Sequence, residues 1–291
     1  MSKPIIAVTG RNGQLGYELE QFVSVFSDRF TFVLVDRDLL DIGKASSIAD
    51  FFQKYHPVYF INCAAYTAVD KAETAQEAAY LINAEAVGII AQQCHKYGCT
   101  LIHISTDYVF NGNGTEPYQT NEPTDPVNYY GYTKWIGEKL ALENNQRTII
   151  VRTSWLYSSH GNNFVKTMLR LMKERPEIKV VSDQTGSPTY AADLANMLLH
   201  VIMELEKGNL HYGIYHYSNE GMISWYEFAK TIQELENLPC KILPILTSDY
   251  PTPAKRPAYS VLDASSLVND FGIQMINWKE SLIHCLALLK S

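Results

Sequence analysis

The chain has 291 residues, 46% of them hydrophobic and 19% charged, which excludes a disordered or fibrous protein and leaves one large domain or two closely joined ones. With 31 acidic against 24 basic residues and a formal net charge of -7, it lacks the basic excess with which proteins hold nucleic acid or an anionic membrane. Five scattered cysteines without a C-x-x-C pair indicate neither a disulfide framework nor a zinc site. No apolar run approaches a membrane span or a secretion signal, so the expectation is a reduced, cytoplasmic protein.

In chain order, residues 5–9, 32–36, 59–62, 101–105 and 149–152 read as short buried strands, rich in β-branched residues. Between them, residues 14–25, 46–54, 75–83, 84–97 and 130–143 carry helical patterns. A parallel crossover needs a dozen or more residues and usually a helix, so the alternation predicts an α/β, doubly wound parallel sheet. Beyond Arg152 the alternation loosens. Helices are expected at 164–174, 192–206, 225–235 and 280–289, and two prolines mark 246–253 as a loop. No repeat or flexible linker separates the halves, so they are expected to meet at a cleft.

Directly after the first strand comes Gly10-Arg11-Asn12-Gly13-Gln14-Leu15-Gly16, and a helix pattern opens at once. Glycine permits the turn and a close approach of backbone to a pyrophosphate, and the helix N-terminus offers free N–H groups with a positive partial charge. The second strand ends at Asp36, 20 residues beyond Gly16, where a carboxylate in such folds meets the adenosine ribose. Asp36 favours NAD, while Arg37 and Arg11 leave NADP open. The reading is a Rossmann-like dinucleotide-binding domain at 1–155 and a smaller, mixed substrate-binding region at 156–291, which can return elements to the sheet. The G-x-x-G-x-x-G spacing resembles that of the short-chain dehydrogenase/reductase superfamily.

Reduction of a carbonyl by a nicotinamide needs a proton donor beside the oxygen. That superfamily uses a Tyr four residues before a Lys, because i and i+4 share a helix face and the ammonium can favour the phenolate. Lowering a tyrosine from about 10 to near 7 takes roughly 4 kcal/mol. Two pairs have the spacing, Tyr130 with Lys134 and Tyr226 with Lys230. Tyr130 follows the fourth strand, where the superfamily places its pair, whereas Tyr226 reads as a core aromatic. Thr106 ends the fourth strand, at the edge where such sheets bind ligands.

Several segments together resemble the dTDP-4-dehydrorhamnose reductase family over nearly the whole chain. They include Asn62-Cys63-Ala64-Ala65-Tyr66-Thr67, Ser105-Thr106-Asp107-Tyr108-Val109-Phe110, Tyr130-Gly131-Tyr132-Thr133-Lys134, Arg152-Thr153-Ser154-Trp155, Gly161-Asn162-Asn163-Phe164, Asp183-Gln184-Thr185-Gly186 and Pro251-Thr252-Pro253-Ala254-Lys255-Arg256. The resemblance implies NADPH or NADH as cofactor. Gly10, Gly13, Gln14, Leu15 and Gly16 would lie at its pyrophosphate, Asp36 and Arg37 at the ribose, and Asp41 and Ile42 near the adenine. Ala64, Ala65 and Tyr66 would line it. Tyr130 becomes the proton donor, with Lys134 positioning it and the cofactor, and Thr106 tuning the transfer. Thr106, Asp107 and Trp155 would contact the deoxyhexose, and Asn162, Asn163 and Arg256 the nucleotide diphosphate. A homodimer is also implied. Magnesium, bound by some relatives through C-terminal carboxylates, lacks an acidic tail here, and no metal ligand is assigned.

Two other classes stay open on the sequence. One is a nucleotide-sugar dehydratase or epimerase, although dehydratases of this kind carry Glu where Tyr108 stands. The other is a non-catalytic subunit resembling the regulatory subunit of methionine adenosyltransferase.

Overall fold

The computed structural model describes residues 3–290. Six parallel strands form one sheet: β1 (Ile5–Thr9), β2 (Thr31–Val35), β3 (Tyr59–Asn62), β4 (Thr100–Thr106), β5 (Thr148–Thr153) and β6 (Gly213–His216). Their spatial order is β6-β5-β4-β3-β1-β2. The chain runs outward from β1 to β2, then crosses back to β3 on the other side. The order therefore reverses at β1, and the crevice past the carboxyl ends of β1 and β3 is where such sheets take ligands.

Strand alternation builds two cores from the same sheet. Ile6 and Val8 point to one face and pack with Leu19, Leu198 and Ile202. Ala7 points to the other and joins Phe52, Phe60, Val87, Ile90 and Ile150. Leu198 and Ile202 lie on the Ala191–Glu206 helix, so the chain beyond Arg152 shares a core with the glycine-loop helix and also supplies β6.

Two helix expectations change in detail. The helix opening at Gln14 stops at Gln21, and a separate turn follows at Val23–Phe26. The patterns expected at 75–83 and 84–97 join into one rod, through a π-helical turn at Leu81–Glu85. At that turn the Tyr129–Asn144 helix comes so near that a Cβ on Gly137 would stand 2.1 Å from the Asn83 carbonyl oxygen. Widened turns of this kind often lie beside functional sites.

The rest of the second half is assembled from short pairs. Glu177–Val181 runs parallel to Lys241–Ile245, Leu156–Tyr157 parallel to Thr189–Tyr190, and Thr185–Gly186 antiparallel to Ile223–Ser224. Tyr157, Met172, Ile178, Phe228 and Leu282 form their common core. No helix among the described residues is long and apolar enough to cross a membrane.

Candidate active site

At the end of β1 the backbone turns through Gly10 with φ +71°, a region L side chains rarely adopt. A Cβ on Gly16 would stand 2.2 Å from the Gly10 carbonyl oxygen, so a side chain there would push the helix off the turn. Gly13 precedes that helix and no side chain caps it, which leaves its first N–H groups for a ligand. This loop forms one wall of a cleft of about 750 Å³ that also takes in Cys63, Ala64 and Ala65 from the end of β3.

A loop of the second half is strapped onto this wall. His160 stacks on Tyr17 with ring centroids 4.2 Å apart. The Ser158 hydroxyl donates to buried Glu18 at 2.5 Å, and Asn163 Nδ2 donates to Gln14 Oε1 at 2.9 Å and to the Ser158 carbonyl at 2.7 Å. Asn163 Oδ1 meanwhile caps the Phe164–Glu174 helix by accepting from Lys166 N. Both ends of the Asn163 amide are thus engaged within the protein, and Asn163 does not line the cleft. Its neighbour Asn162 faces the cleft.

The Tyr129–Asn144 helix opens at Asn128, whose side chain accepts from Gly131 N at 2.8 Å. A Cβ on Gly131 would stand 2.1 Å from the Tyr108 carbonyl oxygen, so glycine lets the helix start lie against the end of β4. Tyr130, Lys134 and Glu138 follow at successive four-residue steps on one face. The first two face the cleft. Glu138 lies deeper, paired with Arg152 of β5 at 2.7 Å and accepting from Ser105 at 2.5 Å. Lys134 Nζ donates to the Ile104 carbonyl at 2.6 Å and lies 3.1 Å from His103 Nε2.

Burial dominates the titration of this group. It pulls Lys134 down to about 8 against the opposing charges of Glu138 and Cys63. Burial, then the Asp107 charge, pushes Tyr130 above its ordinary value, and a hydrogen bond with Thr106 works the other way. The expected lowered phenol is therefore not found here. Tyr130 is held in the protonated form that a donor needs, because desolvation penalises a phenolate and Asp107 repels it. Asp107 itself is raised to about 7, chiefly by burial. Its Oδ1 accepts from the Thr106 hydroxyl at 2.9 Å, while buried Oδ2 has no protein partner. Such an atom facing a cleft is an acceptor in waiting.

The opposite wall comes from the second half. Trp155 has φ +46°, an outlier for a bulky residue. Its ring stacks on Trp225, with centroids 3.5 Å apart and planes 9° from parallel. A Cβ on Gly186 would stand 2.7 Å from the Trp155 ring, so glycine there makes room for the stack. Trp225 and Tyr108 line both this cleft and a second cavity of about 600 Å³, which holds Arg175, Lys179, Gln184, Tyr250 and Arg256. Arg256 makes a bidentate pair with Asp70 at 2.6 and 2.8 Å, so only part of its fork remains for a ligand. Tyr226 packs against the second-half core and Lys230 bonds Gln233, a pair apart from the cleft.

Residues 4–291 match the family model described as the RmlD substrate binding domain. A dTDP-4-dehydrorhamnose reductase of Burkholderia thailandensis is 40% identical, over 98% of this chain and 99% of its own. The chain belongs to the dTDP-4-dehydrorhamnose reductase family. A spore coat polysaccharide biosynthesis protein, SpsK of Bacillus subtilis, is likewise 40% identical over 95% of each chain. The crystal structure of a Bacillus anthracis dTDP-4-dehydrorhamnose reductase in complex with NADP superposes with a TM-score of 0.93 at 41% identity, covering 99% of this chain and 100% of that one.

Of the residues this reductase pattern singles out, Gly10, Gly13, Gln14, Leu15, Gly16, Ala64, Ala65, Thr106, Asp107, Tyr130, Lys134, Trp155 and Asn162 share the one cleft. The rest lie outside its lining. Asp36 accepts from Leu39 N at 3.0 Å, and Arg37 is 87% exposed. Asp41 closes its own turn by accepting from Gly43 N, and Ile42 is buried in the core. Tyr66 N–H and C=O are both held by the Asn83 side chain, at 2.8 and 3.1 Å. Sequence reasoning missed Trp225, Arg175 and Lys179, since no spacing links them to the other motifs. The one signal was Trp225 beside the rejected Tyr226.

Proposed function

We propose that this chain reduces the C4 ketone of dTDP-4-dehydro-L-rhamnose to dTDP-L-rhamnose, the last step in making that activated sugar, with NADPH or NADH as reductant. The observation that carries the reading is the meeting of the uncapped glycine-loop helix, the Tyr130–Lys134 pair and the Trp155–Trp225 stack in one cleft.

The cleft fits a dinucleotide, because Gly10 and Gly16 let the turn pack tightly on its own backbone and on the end of β3, which sets the uncapped start of the Gln14–Gln21 helix at the cleft wall, where its free N–H groups suit a pyrophosphate. When bound, reduced nicotinamide supplies the hydride. Tyr130, kept protonated by its surroundings, gives its proton to the carbonyl oxygen as negative charge develops, a contribution on the order of a hundred- to ten-thousand-fold in rate. Lys134 carries the compensating charge one helical turn away. Thr106 orients the proton transfer, and the free oxygen of Asp107 accepts from a sugar hydroxyl. Trp155 offers its ring face to the deoxyhexose, and Asn162 stands at the mouth.

The second cavity suits the nucleotide diphosphate. Arg175, Lys179 and Arg256 supply positive charge there, although the chain as a whole is acidic. Near the ribose, Asp36 retains one carboxylate oxygen for a hydroxyl, and exposed Arg37 can reach a 2′-phosphate, which supports use of either cofactor. A homodimer and a cytoplasmic location complete the reading. Analytical ultracentrifugation would test the dimer.

The test is loss of reduced-nicotinamide absorbance on adding dTDP-4-dehydro-L-rhamnose, with NADPH and NADH in parallel. Oxidation with formation of dTDP-L-rhamnose is expected. No oxidation with either cofactor would remove this substrate and return the choice to another keto-sugar or a non-catalytic subunit.

A further inference from the structure

Behind the cleft, side chains from three neighbouring strands form a buried chain that ends at Lys134. Thr9 of β1 donates to Asn62 Oδ1 of β3 at 2.7 Å. Asn62 Nδ2 lies 3.1 Å from His103 Nδ1 of β4, and His103 Nε2 lies 3.1 Å from Lys134 Nζ. The strand register aligns them, with Thr9 opposite Asn62 and Asn62 opposite His103. His103 is 0% exposed.

A neutral imidazole has one N–H and one lone pair, and the chain has two settings in which both ring nitrogens of His103 are bonded. In one, the Lys134 ammonium donates to Nε2, Nδ1–H donates to Asn62 Oδ1, and the turned amide donates to Thr9. In the other, a neutral Lys134 amine accepts from Nε2–H, Nδ1 accepts from Asn62 Nδ2, and Asn62 Oδ1 accepts from Thr9. Lys134 keeps its bond to the Ile104 carbonyl in both. The settings differ by one proton on Lys134.

We propose that His103 is a positioning residue for Lys134: its ring tautomer, together with the Asn62 amide orientation, follows the lysine's charge and keeps Nζ bonded in both states. This rests on the reading of Lys134 as the partner of Tyr130. The other groups facing Lys134 are Glu138 on its own helix, itself paired with Arg152 of β5, and the Cys63 thiol after β3, with Tyr130 one helical turn away in the same cleft lining. Burial raises Cys63 to about 12 and drives His103 far below its ordinary value. Both therefore stay neutral while Lys134 titrates near 8, and the ring answers by changing tautomer rather than by taking on charge.

Ring-nitrogen NMR of the whole protein without ligands tests this directly, with His103 assigned by its loss in His103→Gln. The Nδ1–H tautomer is expected below the lysine titration and Nε2–H above it. One tautomer throughout, or an imidazolium, overturns the proposal. In the reductase assay, His103→Leu removes the acceptor of the ammonium, so the basic limb of kcat moves about one pH unit lower with sugar KM unchanged. His103→Gln, whose amide can present either oxygen or nitrogen, restores the limb. An unshifted limb in His103→Leu also overturns the proposal. A wild-type protein without reductase activity defeats the reading of the site instead, and the NMR titration, which needs no substrate, separates the two failures.

Discussion

The two halves of the cleft are built by different means. On the β1–β5 side, chemistry stands at the ends of parallel strands and on the Tyr129–Asn144 helix that the Glu138–Arg152 pair clamps to them: strand register aligns Thr9, Asn62 and His103 across the sheet, and Thr106 with Thr153. On the other side, Trp155 sits in a left-handed backbone conformation, holds to Trp225 by stacking, and depends on a glycine at position 186. On the proposed reading, the groups for proton transfer rest on the sheet and the helix paired to it, and sugar recognition rests on turns and ring contacts that can vary without disturbing the sheet.

The largest expected effect falls on the strand-built side. Glu138→Gln leaves the Arg152 guanidinium buried without its counter-ion and costs about 3–5 kcal/mol of stability, read from denaturant melts. Replacing both partners with apolar residues should recover most of that loss. A variant as stable as wild type would show that the ion pair does not hold the helix to the sheet.

Asp107 should make stability depend on pH. Its carboxyl is raised from 3.8 to about 7, so the folded protein keeps a proton that the unfolded chain gives up. No cost arises below pH 3.8. The cost grows as pH rises and is complete above about 7. Asp107→Asn should flatten that slope in melts taken across the range and weaken sugar binding. An unchanged slope would mean the carboxyl is ionised in the folded protein.

A smaller effect is expected on the turn-built side. Gly186→Ala drives a methyl into the Trp155 ring and should raise KM for the sugar nucleotide about tenfold, roughly 1.4 kcal/mol, leaving NADPH affinity unchanged. Equal losses for both ligands would mean that the two walls are not independent. Smallest is Arg37→Ala, expected to raise KM for NADPH a few-fold and leave that for NADH unchanged, since only NADPH carries the 2′-phosphate. Parallel changes would move cofactor choice away from Arg37.

This contrast also explains what could be read in advance. Strand-to-helix punctuation at Gly10–Gly16 and the four-residue step from Tyr130 to Lys134 are local, so the sequence displays them. The second cavity that Trp225, Arg175 and Lys179 share is tertiary, produced by short strand pairs that leave no periodic signal. Asn163 has a place that is tertiary in the same way. Its place before a helix marked a cap as well as a contact, and the cap together with the strap to Gln14 takes up its amide. The π-helical turn at Leu81–Glu85 is set by the close approach of Gly137, which no local pattern announces.

The most direct test of the central claim, that the strand-built wall supplies the proton and the turn-built wall the sugar site, is single-turnover mixing. Enzyme preloaded with NADPH meets dTDP-4-dehydro-L-rhamnose, wild type against Tyr130→Phe, with calorimetric binding of each ligand alongside. The variant is expected to bind both ligands as wild type does and to transfer hydride at least a hundred-fold more slowly. A variant that transfers hydride at the wild-type rate would contradict it.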